Sequence, residues 1–444
     1  VLLSNNLQQP SLQRVLSLGD LIRYGIVLIQ PIAAVPLFGI ADQLSEGHVI
    51  TTILIAMVAM MLTAVSYGRM ATLYPTSGSA YAYVGRGINR QLGFLTGWAM
   101  LLDYFMSPVL NTIYGSLTIC RLYPTVPYVA VAFAFAVLIT LLNLRDVRTT
   151  ASANLWLLAV MSVVIVAFFV WAVTYLTSRY GPLAIFSFKP FYTPSTFHLA
   201  SIAEATSLAS LTYIGFDGIT TLTEEARHPE RDVERATVLV CAITGILSGL
   251  QVYFAQLVWP DYKSFANPDT AFMDVATRVG GHPLFLAFAL TLAIASIGSG
   301  LAGQAGAARL LFSMGRDRAL PEKLFAHIGR KSGVPTFNIC LIGAVAFAGS
   351  LLFSFERAAE LVNFGAFLAF IGVNVAAVRH SFITHRKLTA IIPALGGMFC
   401  ILIWWSLPRP SKIAGFAWLA IGLIYALVLS KGFGRTPALG DLES

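Results

Sequence analysis

Charge is what this chain has least of. Only 11% of its 444 residues are Asp, Glu, Lys or Arg, against roughly a quarter in an average soluble domain. A soluble protein can hide apolar residues in a core but still needs a charged surface, so a soluble globular fold is excluded. Cysteine is sparse too. Cys120, Cys241, Cys340 and Cys400 are far apart, with no CxxC or Cys/His cluster, which leaves no disulfide framework or zinc site to expect. No GxxxxGK[ST] loop occurs, which disfavours an ATP-driven pump. The seven histidines sit in loops or at span ends and form neither HExxH nor a pair on one deep helical face. A membrane-embedded enzyme would need such convergent groups. The N-terminal region shows no Arg-rich transit segment or cleavable signal pattern. Its first apolar span already contains Gln30, Pro31 and Pro36 and reads as part of the working machine.

What is there is apolar. The hydrophobic fraction is 57% and the mean hydropathy +0.75. Stretches able to cross about 30 Å of hydrocarbon recur along the whole chain. They predict an all-α polytopic membrane protein with about twelve transmembrane helices: 22–44, 49–71, 91–119, 126–143, 153–176, 201–224, 236–258, 283–313, 335–353, 358–378, 388–406 and 413–430. Short extra helices are expected near 72–90 and around Glu322 to Ile328. With the N-terminus placed inside, 21 of the 29 Lys and Arg residues fall in cytoplasmic loops. Short basic loops resist translocation, so both termini are expected in the cytoplasm. The net charge of +8 is then topological, and nucleic acid is not an expected partner. No partner subunit is indicated.

Two spans are irregular. The first reads YGIVLIQPIAAVPLFG; Pro31 has no N–H, and its ring clashes with the carbonyl of Val27. The sixth crowds Ser210, Thr212, Gly215, Asp217 and Gly218 into its middle. Backbone freed inside a bilayer must face protein, water or a ligand. Irregular spans at matching positions of two five-helix repeats point to an inverted-repeat transporter with a midplane site. The repeats would cover 20–176 and 200–378, with extra helices over 388–430 and a cytoplasmic tail at 431–444. The eighth span carries Ser296, Gly298, Ser299, Gly300, Gly303 and Gly306. That face is either a small-residue packing seam or a supply of hydroxyls for sodium, Ser296 and Ser299, against helix 1 carbonyls between Gly25 and Leu28.

Several segments together are specific: FGIADQLSEGHV at 38–49, SYGRMATLYPTSGSAYAYV at 66–84, GFLTGWAMLLDY at 93–104, YIGFDGITTLTEEARHPERD at 213–232, SGLAGQAGAARLLFSMGRDRALPE at 299–322 and VNFGAFLAFIGVN at 362–374. In these the chain resembles the amino acid–polyamine–organocation superfamily, and within it bacterial putrescine importers and their relatives, over roughly 15–430. The resemblance implies a leucine-transporter-type core of five plus five helices with two C-terminal helices. It implies a substrate site on helix 1 at Ile26, Ile29, Gln30, Pro31 and Ala33, and on helix 6 at Leu211, Tyr213, Ile214, Gly215, Phe216 and Asp217. Pro36 stands where putrescine importers tend to have an acid, and Glu204 where relatives have a small residue. Helix 5 has no Lys or Arg between Ala153 and Leu176, so a lysine does not replace sodium there. The coupling ion is left open between proton and sodium, and no other cofactor is implied.

Three acids fall inside spans, Asp103, Glu204 and Asp217, with no basic residue deep in any span. An ionised acid in low dielectric protonates or finds a cation. Asp103, with Tyr104 beside it, is the acid expected to meet substrate, and Glu204 to recruit or gate from the outer vestibule. The reading is a secondary active transporter of amino acids, polyamines or small organic amines in the plasma membrane, and not an enzyme. Exchange of substrate for product is the runner-up, ahead of a channel.

Overall fold

A computed structural model describes residues 14–75, 79–145, 151–316, 320–329 and 333–429. The tail at 431–444 and parts of the 314–334 loop lie outside the described residues. The first span is two helices, α1 (Leu18–Ile29) and α2 (Phe38–Leu44). The second is α3 (Val49–Leu73), followed by the short α4 (Ser79–Gly87). The third to fifth are α5 (Arg90–Leu122), α6 (Tyr128–Leu144) and α7 (Ala151–Tyr180). The sixth begins as α8 (Leu199–Ala209) and continues as 3-10 turns over Ser210–Tyr213 and Phe216–Glu225. The seventh is α9 (Pro229–Val258). The eighth lies in α10 (Ala271–Arg316), which is kinked at Gly281, with φ 62°. After the short α11 (Glu322–Phe325) come α12 (Thr336–Leu352), α13 (Phe355–Ile383), α14 (Ile391–Trp405) and α15 (Arg409–Leu429).

The expected spans and both short helices are therefore present. The sequence boundaries differ where a polar end hides a helix: α5 extends beyond 91–119, whereas the non-helical Gly281 divides α10 into two helices close to the predicted start of the eighth span at 283. Among the described residues seven helices are long and apolar enough to cross a membrane, and α6 and α12 are shorter apolar helices. Large apolar side chains such as Trp156, Val163 and Val166 on α7 and Ile413, Ile424 and Val428 on α15 point outward, as a lipid-facing surface requires.

Local chemistry fixes several helix starts. Ser17 and Asp20 form a capping box on α1, and Asn89 and Ser354 cap α5 and α13 with side-chain oxygens. Tertiary packing does the rest. The most extensive helix contacts join α3 to α9 and α5 to α10. These pair the second span with the seventh and the third with the eighth, and α5 packs nearly as extensively on α13, the tenth span. The twelfth span is pinned to the third by a reciprocal tie: each indole N–H of Trp98 and Trp418 donates to the other residue's carbonyl, at 2.9 and 2.8 Å.

Candidate functional site

The first break opens at Gln30, a non-glycine residue held at φ 69°. Pro31 brings no N–H to the carbonyl of Val27. Ala33 and Val35 donate three residues back, to Gln30 and Ile32, at 3.1 and 3.0 Å. The carbonyls of Val27, Leu28 and Ile29 thus lose their α-helical donors. The Gln30 amide crosses to the eighth span and donates to the Ala295 carbonyl at 3.2 Å. In the sixth span the chain turns extended at Ile214 and passes through Gly215 at φ 113°. Only glycine adopts that backbone without strain, and it brings Gly215 against Ile29 and Leu28 of the first break. Helical hydrogen bonding resumes at Phe216. The Gly218 N–H donates to the Gly215 carbonyl at 3.1 Å, and Asp217 stands in the first turn of this second half, where its charge suits the helix start.

Two adjoining chambers lie between the breaks. The larger, about 480 Å³, runs from Asp103, Ile214 and Asp217 past Tyr24, Tyr104 and Thr221 to Arg309 and Pro335 at the basic end of the bundle. The smaller, about 130 Å³, lies deeper and is lined by Leu28, Ile29, Gln30, Ala33, Leu211, Ser296 and the rings of Tyr114 and Phe355. Asp103, Ser107, Leu28, Ile214 and Ser299 belong to both walls. Asp103 therefore stands at the junction. Among the described residues its carboxylate has no hydrogen-bond or ion-pair partner. The hydroxyls of Ser296 and Ser299 likewise face the chambers. Among the described residues no group of three acidic, His or Cys side chains could hold a metal ion.

A cavity between two interrupted spans, with a free acid at its centre, suits a carrier, and the comparisons agree. The profile described as "Amino acid permease" matches residues 22–434. The chain belongs to the amino acid permease family. The permease is 32% identical to the low-affinity putrescine importer PlaP of Escherichia coli (strain K12), over 97% of both chains. It is 24% identical to the branched-chain amino acid permease BcaP of Lactococcus lactis subsp. cremoris, over 92% of this chain and 93% of the other. It is 28% identical to the vacuolar cationic amino acid transporter 4 of Arabidopsis thaliana, over 73% of this chain and 56% of that one. These relatives are permeases and importers, so the permease is a membrane transporter and not an enzyme.

Within the permease the predicted site residues divide. Ile29, Gln30, Ala33, Asp103, Tyr104, Leu211, Ile214, Gly215 and Asp217 line the chambers, as do Leu28, Ser296 and Ser299 of the expected ion site. Others lie elsewhere. Gly25 is pressed against Ile219 and Val240, Ile26 packs beside it in the same apolar cluster, and the Pro31 carbonyl accepts from Gln251 at 2.8 Å. The Tyr213 hydroxyl donates to the Ile53 carbonyl at 2.8 Å. Phe216 is wedged between Tyr67 and Phe370, with centroids 5.4 and 5.3 Å away. These two rings are struts that hold the sixth span to the bundle. Glu204 lines neither chamber. The glycines of the eighth span serve close packing, since a Cβ at Gly306 would meet the Tyr104 ring at 2.9 Å and one at Gly303 the Ser107 hydroxyl at 3.0 Å, while Ser299 remains open to the cavity. The walls also hold Ser107, Asn111 and Arg309, which are not among the predicted site residues. The first two follow Asp103 at four and eight residues on one helical face. Arg309 lies inside the predicted span 283–313 and stands in α10 at the chamber's mouth.

Proposed function

We propose that the permease imports a small organic amine that lacks an α-carboxylate, with diamines as its leading substrates. The observation that carries this is the Asp103 carboxylate, unpartnered at the junction of the two chambers. An ammonium ion placed there gains a charge-assisted hydrogen bond and removes an uncompensated acid from low dielectric. Leu28 and Ile29 add carbonyl oxygens. An α-amino acid needs donors for its carboxylate, and the start of a broken helix is their usual source. Here that start carries the Asp217 carboxylate in its first turn, on the chamber wall, where it repels a substrate carboxylate and favours the substrate named for PlaP over that named for BcaP.

Transport is by alternating access, with the repeats at 20–176 and 200–378 moving about the fixed site. The present state opens past Arg309 to the basic end. The bias of basic loops supports placing that end, and both termini, in the cytoplasm of a cell whose plasma membrane houses the permease. A cysteine at Glu322 should then resist an impermeant reagent in sealed cells, and one at Asn267 should react. Uptake is coupled to protons or to sodium, the latter held by the Leu28 carbonyl, Ser296 and Ser299. Proteoliposomes given a sodium gradient and then a proton gradient alone separate the two, and uptake driven only by internal substrate identifies an exchanger. The same vesicles, tested with putrescine and with cationic, neutral and acidic amino acids, decide the substrate. Uptake of a neutral amino acid without uptake of any simple amine would overturn the proposal.

A further inference from the structure

The outer half of the first span carries a buried acid that the central cavity does not use. Asp42 of α2 is 1% exposed, and α2 is packed among α3, α8, α10 and the 3-10 turn Pro268–Thr270. The approach is close, since a Cβ at Gly39 would strike the Pro268 carbonyl. Gln256 of α9 reaches Asp42 across this packing. Its Nε2 donates to Asp42 Oδ1 at 2.8 Å and to the Gly47 carbonyl at 2.6 Å. A backbone carbonyl can only accept, so the amide is fixed with its nitrogen on this side. Two oxygens of the pair are left over: Asp42 Oδ2 and Gln256 Oε1 are both buried without a hydrogen-bond partner.

If Asp42 were ionised, both orphans would be acceptors and a charge would be buried against one neutral amide. No neighbouring cation compensates it. His48, at the head of α3, accepts from the Thr193 N–H through Nε2 and meets the Ser45 carbonyl through Nδ1, so its ring is neutral. On α10, Asp274 pairs with Arg121, and Arg278 donates to the Val258 carbonyl and covers the Trp259 ring. Glu46 is taken by Ser201 and His198. Glu204 on α8 and Asp269 on the turn have no positive charge to give. Among the described residues none of these makes a hydrogen bond or ion pair with Asp42. The Val49 N–H at the start of α3 acts on the carboxyl without bonding Oδ2. A proton on Oδ2 removes the charge and supplies the donor that Gln256 Oε1 lacks.

We propose that Asp42 binds a proton, shares it with Gln256 Oε1, and so latches the outer half of the first span to the seventh span in the state that opens at the basic end. When the outer side opens, α2 leaves α9 and the acid meets external water, where a free carboxyl ionises at neutral pH. The proton passes to a water molecule on that side, and closing takes one back. External acid therefore favours the closed form. The latch rests on alternating access as the mode of transport and is separate from the amine at Asp103.

The test uses the full chain in sealed cells, in a background without other cysteines. Leu110→Cys reports on the small chamber, which an impermeant thiol reagent reaches from outside only when the outer side opens. Its labelling rate is divided by that of Asn267→Cys at the same pH, which corrects for ionisation of the thiol. With Asp42 in place the ratio should rise with external pH, by up to about tenfold per unit, the limit for one proton. Asp42→Asn keeps the shape and offers Gln256 both an acceptor and a donor, so the ratio should stay low at every pH. Asp42→Leu cannot form the latch, so its ratio should be high and equally flat. A ratio that ignores pH in the parent, or still follows it in Asp42→Asn, would overturn the latch alone. So would an Asp42→Leu protein that stays closed. The Asp42→Asn comparison decides even where Asp42→Leu fails to fold. A parent in which Leu110→Cys is never labelled, with or without putrescine, would overturn alternating access and the latch together.

Discussion

The two broken spans reach the same cavity by opposite chemistry. In the first, proline withdraws a donor, and the carbonyls of Val27, Leu28 and Ile29 are left without their α-helical partners. In the sixth, glycine turns the chain and the second half restarts with Asp217 in its first turn. One break exposes acceptors and the other sets an acid beside its donors. Together with Asp103 they line the cavity with oxygen acceptors, while Arg309 stands at its mouth. The halves are also tied to each other at both ends. At the basic end Val15 and Leu16 donate to the Glu225 carbonyl and Arg227 donates to Leu16, joining the chain before α1 to the end of the sixth span. At the opposite end Glu46, just past α2, accepts from Ser201 at 2.8 Å and from His198 at 3.1 Å at the start of α8. Each half of one broken span is therefore held to its counterpart.

The contrast can be broken at its centre. Asp103→Asn keeps the shape and removes the charge. Loss of a charge-assisted contact costs about 1.5–3 kcal/mol, or roughly 10- to 150-fold in amine affinity. Equilibrium binding after a folding check measures it, and unchanged affinity for every ammonium ligand would return Asp103 to a structural role. The glycine break comes next. Gly215→Ala forces a side chain onto φ 113°, a strain of about 1–3 kcal/mol, so the Tm of purified protein should fall and uptake with it. An unaltered Tm would mean that the break is not fixed by its backbone. The proline break should respond in the opposite sense. Pro31→Ala supplies a donor for the Val27 carbonyl, so Tm should hold or rise while amine affinity drops by roughly 2- to 12-fold, the worth of a neutral contact of about 0.5–1.5 kcal/mol. Equal losses of Tm in both variants would erase the distinction drawn between the breaks.

The smallest effect belongs to the tie at Glu46. The hydrogen bond from Ser201, aided by His198, holds the Glu46 carboxyl below its ordinary pKa. A depressed folded-state value contributes stability at neutral pH, and that contribution is lost as pH falls through the folded-state pKa. Ser201→Ala should flatten the acid limb of a Tm–pH curve slightly and leave neutral-pH binding of amine unchanged. A curve identical to the parent's would show that the two outer halves are not held through Glu46.

Much of this was legible in the chain. The span pattern, the basic loops, both breaks and the position of Asp103 could be read because each depends on neighbours in sequence. A bilayer demands long apolar runs, proline lacks a donor wherever it stands, and an acid amid apolar residues has few ways to be tolerated. Nothing local distinguishes Ile29, which lines the cavity, from Ile26, which packs on the bundle. Nor does Tyr213 differ by type from Tyr104, although one is a strut and the other a wall. Arg309 falls inside the predicted eighth span, yet nothing local shows that it reaches the mouth of the cavity.

The sequence by itself determined that the chain is a polytopic helical membrane protein and that its first and sixth spans are irregular. The tertiary structure decided which polar groups remain unused. It sent the Gln30 amide to Ala295, paired Glu360 with Arg357 and Ser411, and left Asp103 without a partner between two chambers. The physical reason is that a hydrogen bond between distant helices is set by their packing, and in a low-dielectric interior the group left without a partner is the one a ligand must satisfy.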